Sequence, residues 1–148
     1  MNHTFDIKIL TSASEQAASE LNELLLSLDP TPRPPLTAER LAEVVAAPNT
    51  TLFVAQSEGV IVGSLTLLYY QSPLNNKYWI EDVVTSPTQR GRGIGRALVE
   101  AAITHARTHH PSATLMLTSN PSRTAARNLY RSVGFEEYNT GVFRLTIK

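Results

Sequence analysis

The residues best suited to chemistry in this sequence are concentrated in the run Gln89–Arg96, where Gly91, Gly93 and Gly95 alternate with Arg90, Arg92, Ile94 and Arg96. Glycine allows the backbone to bend tightly and lets a ligand approach it closely. The run leads from an apolar β-type segment into a helical pattern. Its amides therefore meet a helix start, where the first N–H groups have no internal partners and the dipole is positive. Such a loop suits an anion, phosphate above all, and the arginines add fork-shaped donors. A second group is the adjacent pair Glu81 and Asp82 just upstream. Neighbours on a strand point to opposite faces, so only one of them can serve a given pocket. A third is Tyr130, which by its helical pattern alone reads as a core residue. His105, His109 and His110 fall late in a helical pattern, where positive charge suits the dipole and a solvated face is expected. The adjacent His109 and His110 lack helical metal-ligand spacing, and no metal site is expected. Arg123, Arg127 and Arg131, spaced by four, read as a solvated stripe.

The elements that must position these groups follow from periodicity. Phe5, Ile7 and Ile9 alternate with polar residues and predict a first strand. Ser12 followed by Glu15 reads as a capping box. It opens a helix with Ala17, Leu21, Leu24, Leu25 and Leu28 on its apolar face, ended by Pro30. Residues Asp29–Pro35, DPTPRPP, make a stiff loop within the domain. Thr37 caps a second helix, Leu36 staples onto Leu41, and Leu41, Val44 and Val45 supply the buried side. Leu52–Gln56 and Val60–Tyr70 form a hairpin around Glu58 and Gly59. Tyr78–Thr85 is a fourth strand, with Tyr78, Ile80, Asp82 and Val84 on one face and Trp79, Glu81, Val83 and Thr85 on the other. After the glycine run, Ile94, Ala97, Leu98, Ala101 and Ala102 mark a third helix. Ala113–Thr118 is a fifth strand. Asn120 or Ser122 caps a fourth helix, whose inner face is Ala126, Leu129, Tyr130 and Val133, and Gly134 closes it in the left-handed conformation. Phe135–Tyr138 and Val142–Ile147 read as two last strands. The order β-α-α-β-β-β-α-β-α-β-β predicts one α/β (α+β) domain over residues 1–148: a mixed, mostly antiparallel seven-stranded sheet flanked by four helices.

Composition narrows the function classes. The formal net charge is zero, with 42% apolar and 18% charged residues, an ordinary globular balance. It gives no support to nucleic-acid or membrane-surface binding. The absence of cysteine removes disulfides, thiolate metal sites and a cysteine nucleophile. The start has no signal pattern and no apolar run is long enough to span a bilayer, so a cytoplasmic protein is the default expectation. A homodimer is compatible with all of this.

Three loop families compete for Gln89–Arg96. A nucleotide-hydrolase loop ends in Gly-Lys-Ser/Thr, whereas Gly95 is followed by Arg96 and Ala97. A dinucleotide fingerprint needs Gly-x-Gly-x-x-Gly and an acid about 20 positions on, where this chain has His109 and His110. The third fits. Arg90-x-x-Gly93-x-Gly95 after a strand and opening a helix resembles the acyl-CoA loop of the GNAT family of N-acetyltransferases. The segment IEDVVTSP resembles that family's fourth strand, and LTSNPSRTAARNLYRSVGF its second signature. The resemblance covers residues 78–143, and the upstream order of elements matches too.

The resemblance implies an acetyl-CoA-dependent N-acetyltransferase that moves an acetyl group directly to a primary amine of a small molecule or protein. Acetyl-CoA would be a co-substrate, and no metal would take part. The fourth and fifth strands would splay apart, with Val83, Val84 and Thr85 offering backbone partners to the pantetheine arm. Arg90, Gly91, Arg92, Gly93, Ile94, Gly95 and Arg96 would hold the pyrophosphate. Asn120 and Asn128 match positions that contact the cofactor, and Tyr130 matches the tyrosine beside the thioester sulfur. A tyrosine pKa of about 10 lies near enough to a thiol's, about 8.5, to share a proton with it. Tyr130 is therefore the expected general acid, and Glu81 the expected base. Tyr69, Tyr70 and Trp79 are candidates either for the acceptor site or for the core. The alternative reading is a non-catalytic acyl-CoA sensor or interaction module on the same fold.

Overall fold

The computed structural model describes residues 4–148; Met1 to His3, where the signal-free start was read, lie outside the described residues. The elements are β1 (Asp6–Ile9), α1 (Glu15–Leu28), α2 (Ala38–Ala46), β2 (Thr50–Ser57), β3 (Val60–Gln71), β4 (Asn76–Thr85), α3 (Ile94–His109), β5 (Thr114–Met116) and α4 (Thr124–Ser132). The sheet runs β1-β2-β3-β4-β5, antiparallel except for the parallel β4–β5 pair. One compact unit extends to Thr118, and a second covers Ser119–Lys148.

Local chemistry accounts for most boundaries. Thr37 caps α2 as expected, its side chain accepting from Arg40 N. At α1 the cap is Ser14, not Ser12: Ser14 Oγ accepts from Ala17 N at 3.0 Å. The helix starts at Glu15, and only its immediate neighbour can reach the first-turn amides. Asn22 Oδ1 accepts from Leu36 N at 3.0 Å, fastening the far end of the proline-rich loop back onto α1. The β2–β3 turn has positive φ at both Glu58 (52°) and Gly59 (79°), the form that matches the twist of paired strands.

The sheet is covered on both faces. Leu21, Leu24 and Leu41 of α1 and α2 pack with Leu52, Val54, Ile61 and Val84 in one cluster. On the opposite face Ile94 and Leu98 of α3 close on Gly63, and His105 meets Phe53 edge-on, with ring centroids 5.7 Å apart. Among the described residues no helix is long and apolar enough to cross a membrane.

Two expectations fail at the C-terminus. The sheet has five strands, not seven, and residues 135–148 form neither helix nor strand. Val142, Phe143, Leu145 and Ile147 are 74–98% exposed. Alternation specifies which face a strand would bury, but a strand exists only where its backbone finds a partner. Here the segment is held by side chains: Glu137 accepts from both Arg127 and Arg131 of α4. The arginine stripe is thus partly a clamp and not only a solvated face.

Candidate active site

The candidate anion cradle is built by backbone conformation. After β4, Ser86 N donates to Val62 O at 2.8 Å and Gln89 N to Ser86 O at 2.9 Å, turning the chain through a short 3₁₀ turn, Pro87–Gln89. Gly91 (φ +83°) and Gly93 (φ +80°) are left-handed, and a Cβ on either would touch nothing within 4 Å. These glycines are required by their torsion angles, not by space. Gly93 is also the N-cap of α3, without a side-chain cap. Ala97 N to Gly93 O, 3.0 Å, is the helix's first bond, so the amides of Ile94 and Gly95 precede the ladder and present the donors an anion needs. Gly95 lies inside the helix and has no positive φ, so it takes no part in the bend.

A fourth glycine, which the loop pattern did not flag, seats the cradle. A Cβ on Gly63 of β3 would lie 2.8 Å from Ile94 Cγ2 and 3.2 Å from Val84 O. Only a glycine lets the first turn of α3 settle this closely on the sheet. No local signal in the sequence marks it, because the contact joins β3 to a helix some thirty residues later.

The arginines are not equivalent. Arg90 is exposed. Arg92 donates to Gln89 Oε1 and lies over the Phe5 ring at 5.7 Å. Arg96 pairs with Glu100 along α3 at 2.9 Å. Exposed pairs of this kind contribute only about 0.3–0.5 kcal/mol, so an arriving phosphate can outcompete Glu100.

β4 is paired very differently along its two edges. Against β3 the ladder runs from Asn76 to Thr85. Against β5 it covers only Lys77, Trp79 and the residue between them. β5 ends at Met116, and its ladder with β4 ends there. The β5-side edge of residues 80–85, which includes Val83, Val84 and Thr85, then has no ladder partner among the described residues. An unpaired edge is a template for an extended ligand.

The expected alternation of β4 is corrected at a bulge. Thr66 faces Glu81 and Ser64 faces Val84, so β4 carries one extra residue here, and Asp82 has φ +51°. A bulge reverses the facing of everything beyond it. Glu81 and Val84 therefore share a face, the one bearing the α1–α2 cluster. Ile80, opposite Leu67, and Thr85, opposite Gly63, take the other. Glu81 and Asp82 are both exposed, and the carboxyl of Glu81 is raised above the ordinary value by burial and then by the charge of Asp82. Ordinary alternation, outside the bulge, separates the aromatic candidates. Tyr69 and Tyr78 lie on the α3 side, where His110 stacks on Tyr69 at 4.0 Å and its Nδ1 is 2.6 Å from the Tyr78 hydroxyl. Tyr70 and Trp79 lie on the face of Glu81.

The histidines are mostly structural. His105 stays neutral more readily than a free histidine, through burial and then the nearby His109 and His110. Of the three only His109 is exposed, so the solvated face expected of them forms only in part.

The second unit carries Asn120, Asn128 and Tyr130. Asn120 is not the cap of α4: its Oδ1 accepts from Ser122 N and Ser122 Oγ at 2.9 and 2.8 Å, a local turn that precedes a helix starting at Thr124. Asn side chains compete for backbone donors in this way. Asn128 is exposed, with Arg131 Nη1 3.4 Å from its Oδ1. Tyr130 is buried, at 9% exposure. Its position is fixed by the helix end: Phe135 N donates to Tyr130 O and Gly134 N to Arg131 O, at 3.0 and 3.1 Å, around Gly134 at φ +108°. This double closure brings the Phe135 ring edge-on to Tyr130, with centroids 6.0 Å apart. Burial raises the tyrosine's pKa, with Arg123 opposing, so its hydroxyl holds its proton near neutrality and can serve as a proton donor.

Comparison with known proteins agrees with this arrangement. The profile of the acetyltransferase (GNAT) family matches residues 18–135. The N-alpha-acetyltransferase RimI of Mycobacterium tuberculosis is 32% identical over 130 residues, covering 88% of this chain and 77% of that protein. A putative acetyltransferase from Agrobacterium tumefaciens is 30% identical and superposes with a TM-score of 0.82 over 95% of this chain and 99% of its own. An aminoglycoside acetyltransferase from an uncultured soil metagenomic sample, 22% identical, shares the fold with a TM-score of 0.81 over 97% of each chain.

Proposed function

This chain belongs to the acetyltransferase (GNAT) family and is an acetyl-CoA-dependent N-acetyltransferase, and we propose that it acetylates a primary amine directly, with Glu81 as base and Tyr130 as acid. Acetyl-CoA supplies an activated thioester. Gly91, Gly93 and the first amides of α3, together with Arg90, Arg92 and Arg96, hold its pyrophosphate. The open edge of Val83, Val84 and Thr85 pairs with its extended arm, and Asn120 and Asn128 add polar contacts. The observation that carries the reading is the end of the β4–β5 ladder at Trp79, which leaves the rest of that β4 edge unpaired among the described residues, beside a left-handed glycine cradle. It joins an edge for an extended ligand to a seat for its phosphates.

An ammonium cannot attack; its nitrogen lone pair must be freed. Glu81 accepts that proton, and its raised pKa makes it a better base than an ordinary carboxylate. The nitrogen bonds to the carbonyl carbon, the carbon–sulfur bond breaks, and the hydroxyl of Tyr130 donates a proton to the departing sulfur. The second proton of the new amide nitrogen leaves to solvent, from which Tyr130 is reprotonated. The absence of cysteine favours direct transfer over a covalent acyl-enzyme. That the relative from Mycobacterium tuberculosis is named for α-amine acetylation supports an amine acceptor, of a small molecule or a protein. The proposal includes a single cytoplasmic domain over residues 1–148, supported by a family match that runs through both units.

The first experiment is a thermal shift with acetyl-CoA and with NAD, followed by free-thiol release across a panel of amines. Stabilisation by acetyl-CoA and amine-dependent thiol release are expected. Stabilisation by NAD alone would sink the reading.

A further inference from the structure

Beside Glu81, the same face of the sheet carries two aromatic rings, Tyr70 exposed and Trp79 half-buried. The register places Thr66 opposite Glu81, Leu68 opposite Trp79 and Tyr70 opposite Lys77, so Glu81, Trp79 and Tyr70 lie on one face. Their sequence neighbours Tyr69 and Tyr78 are taken up on the α3 side by His110. Tyr70 is 39% exposed, and Trp79 Nε1 donates to the Tyr70 hydroxyl at 3.0 Å. That bond fixes the two rings relative to each other, so a ligand meets a preorganised surface.

The spacing sets what this surface takes. Two residues along a strand span about 6.6 Å, so an ammonium at Glu81 places a group two or three bonds away over the Trp79 ring. Aromatic faces attract both apolar groups and the edges of cations. Lys77 ends the row, about 13 Å from Glu81 along the strand, and its charge opposes a second ammonium there.

We infer that Tyr70 and Trp79 form an acceptor ledge beside Glu81, for a primary mono-ammonium compound bearing an aromatic or branched apolar group two or three bonds from the nitrogen. This deepens the acetyltransferase reading and rests on it.

Trp79 is the only tryptophan in the chain, so its emission reports on the ledge alone. The probes are 2-phenylethylamine, the anion 3-phenylpropanoate with the same ring, and spermidine with several cations and no ring. A saturable emission change is expected with 2-phenylethylamine and none with the other two. Tyr70→Ala should raise KM for 2-phenylethylamine about three- to tenfold with little change in kcat. Tyr70→Phe should restore most of the loss, and both variants should keep the thermal shift with acetyl-CoA. The ledge is overturned if the amine leaves wild-type emission unchanged while acetyl-CoA still stabilises the protein, or if Tyr70→Ala leaves KM unchanged. A wild type that acetyl-CoA does not stabilise would overturn the acetyltransferase reading beneath it.

Discussion

The candidate cradle before α3 and the groups proposed to handle protons, Glu81 and Tyr130, are held in place by different means. The cradle is backbone: two left-handed glycines, a helix start, and the close seat on Gly63. Its donors are amides, so side-chain changes nearby leave them in place, and only torsional or steric changes reach them. Glu81 and Tyr130 are single side chains, placed by irregularities of the backbone, a bulge in β4 and a double closure at the end of α4. The difference teaches where lesions should show. Damage to the cradle should appear in cofactor affinity or stability, and damage to the side chains in rate and its pH dependence.

Four predictions break or sharpen that contrast. The largest effect is expected for Tyr130→Phe, which removes the donor and keeps the ring packed on Phe135. Its kcat should fall about 100-fold or more with acetyl-CoA affinity unchanged, measured by steady-state kinetics and calorimetry; unaltered turnover would make Tyr130 a packing residue. Glu81→Gln should lower kcat/KM about 100-fold and erase the acid limb of the pH profile. The base must be ionised, so in the wild type activity should fall as pH drops through a pKa above the usual carboxylate value, because burial and Asp82 raise it. An acid limb that survives in Glu81→Gln would assign the base elsewhere.

Smaller effects belong to the backbone-built region. Gly63→Ala forces Ile94 and the Val84 carbonyl apart and should cost about 1–3 kcal/mol of stability, read by denaturant unfolding, with weaker acetyl-CoA binding as α3 lifts. Gly93→Ala meets no neighbour and so isolates the torsional cost of about 1–2 kcal/mol. It should weaken acetyl-CoA binding up to about tenfold while kcat at saturation holds. If Gly93→Ala instead lowered kcat alone, the division between affinity and rate would fail.

Much of this was legible without coordinates. Gly91 and Gly93 of the glycine run, the Thr37 cap, the stop before Pro30 and Gly134 as a helix terminator follow local rules about torsion angles and orphan donors, and these held, whereas Gly95 proved an ordinary helical residue. The resemblance located the loop and led to the family. The two C-terminal strands were misread because Phe143, Leu145 and Ile147 alternate as a strand does but remain exposed. The facing of Glu81 relative to Val84 was misread because alternation assumes a regular ladder, and nothing in IEDVVT announces the extra residue at Asp82.

The sequence by itself therefore determined the cradle, since φ > 0 at Gly91 and Gly93 and free amides at a helix start are properties of a few consecutive residues. Tertiary structure decided which face Glu81 shares, which of the adjacent tyrosines is packed away, and why residue 63 must be glycine. Each of those depends on a partner strand or helix distant in the chain, and register and close approach are relations between segments that neither segment encodes alone.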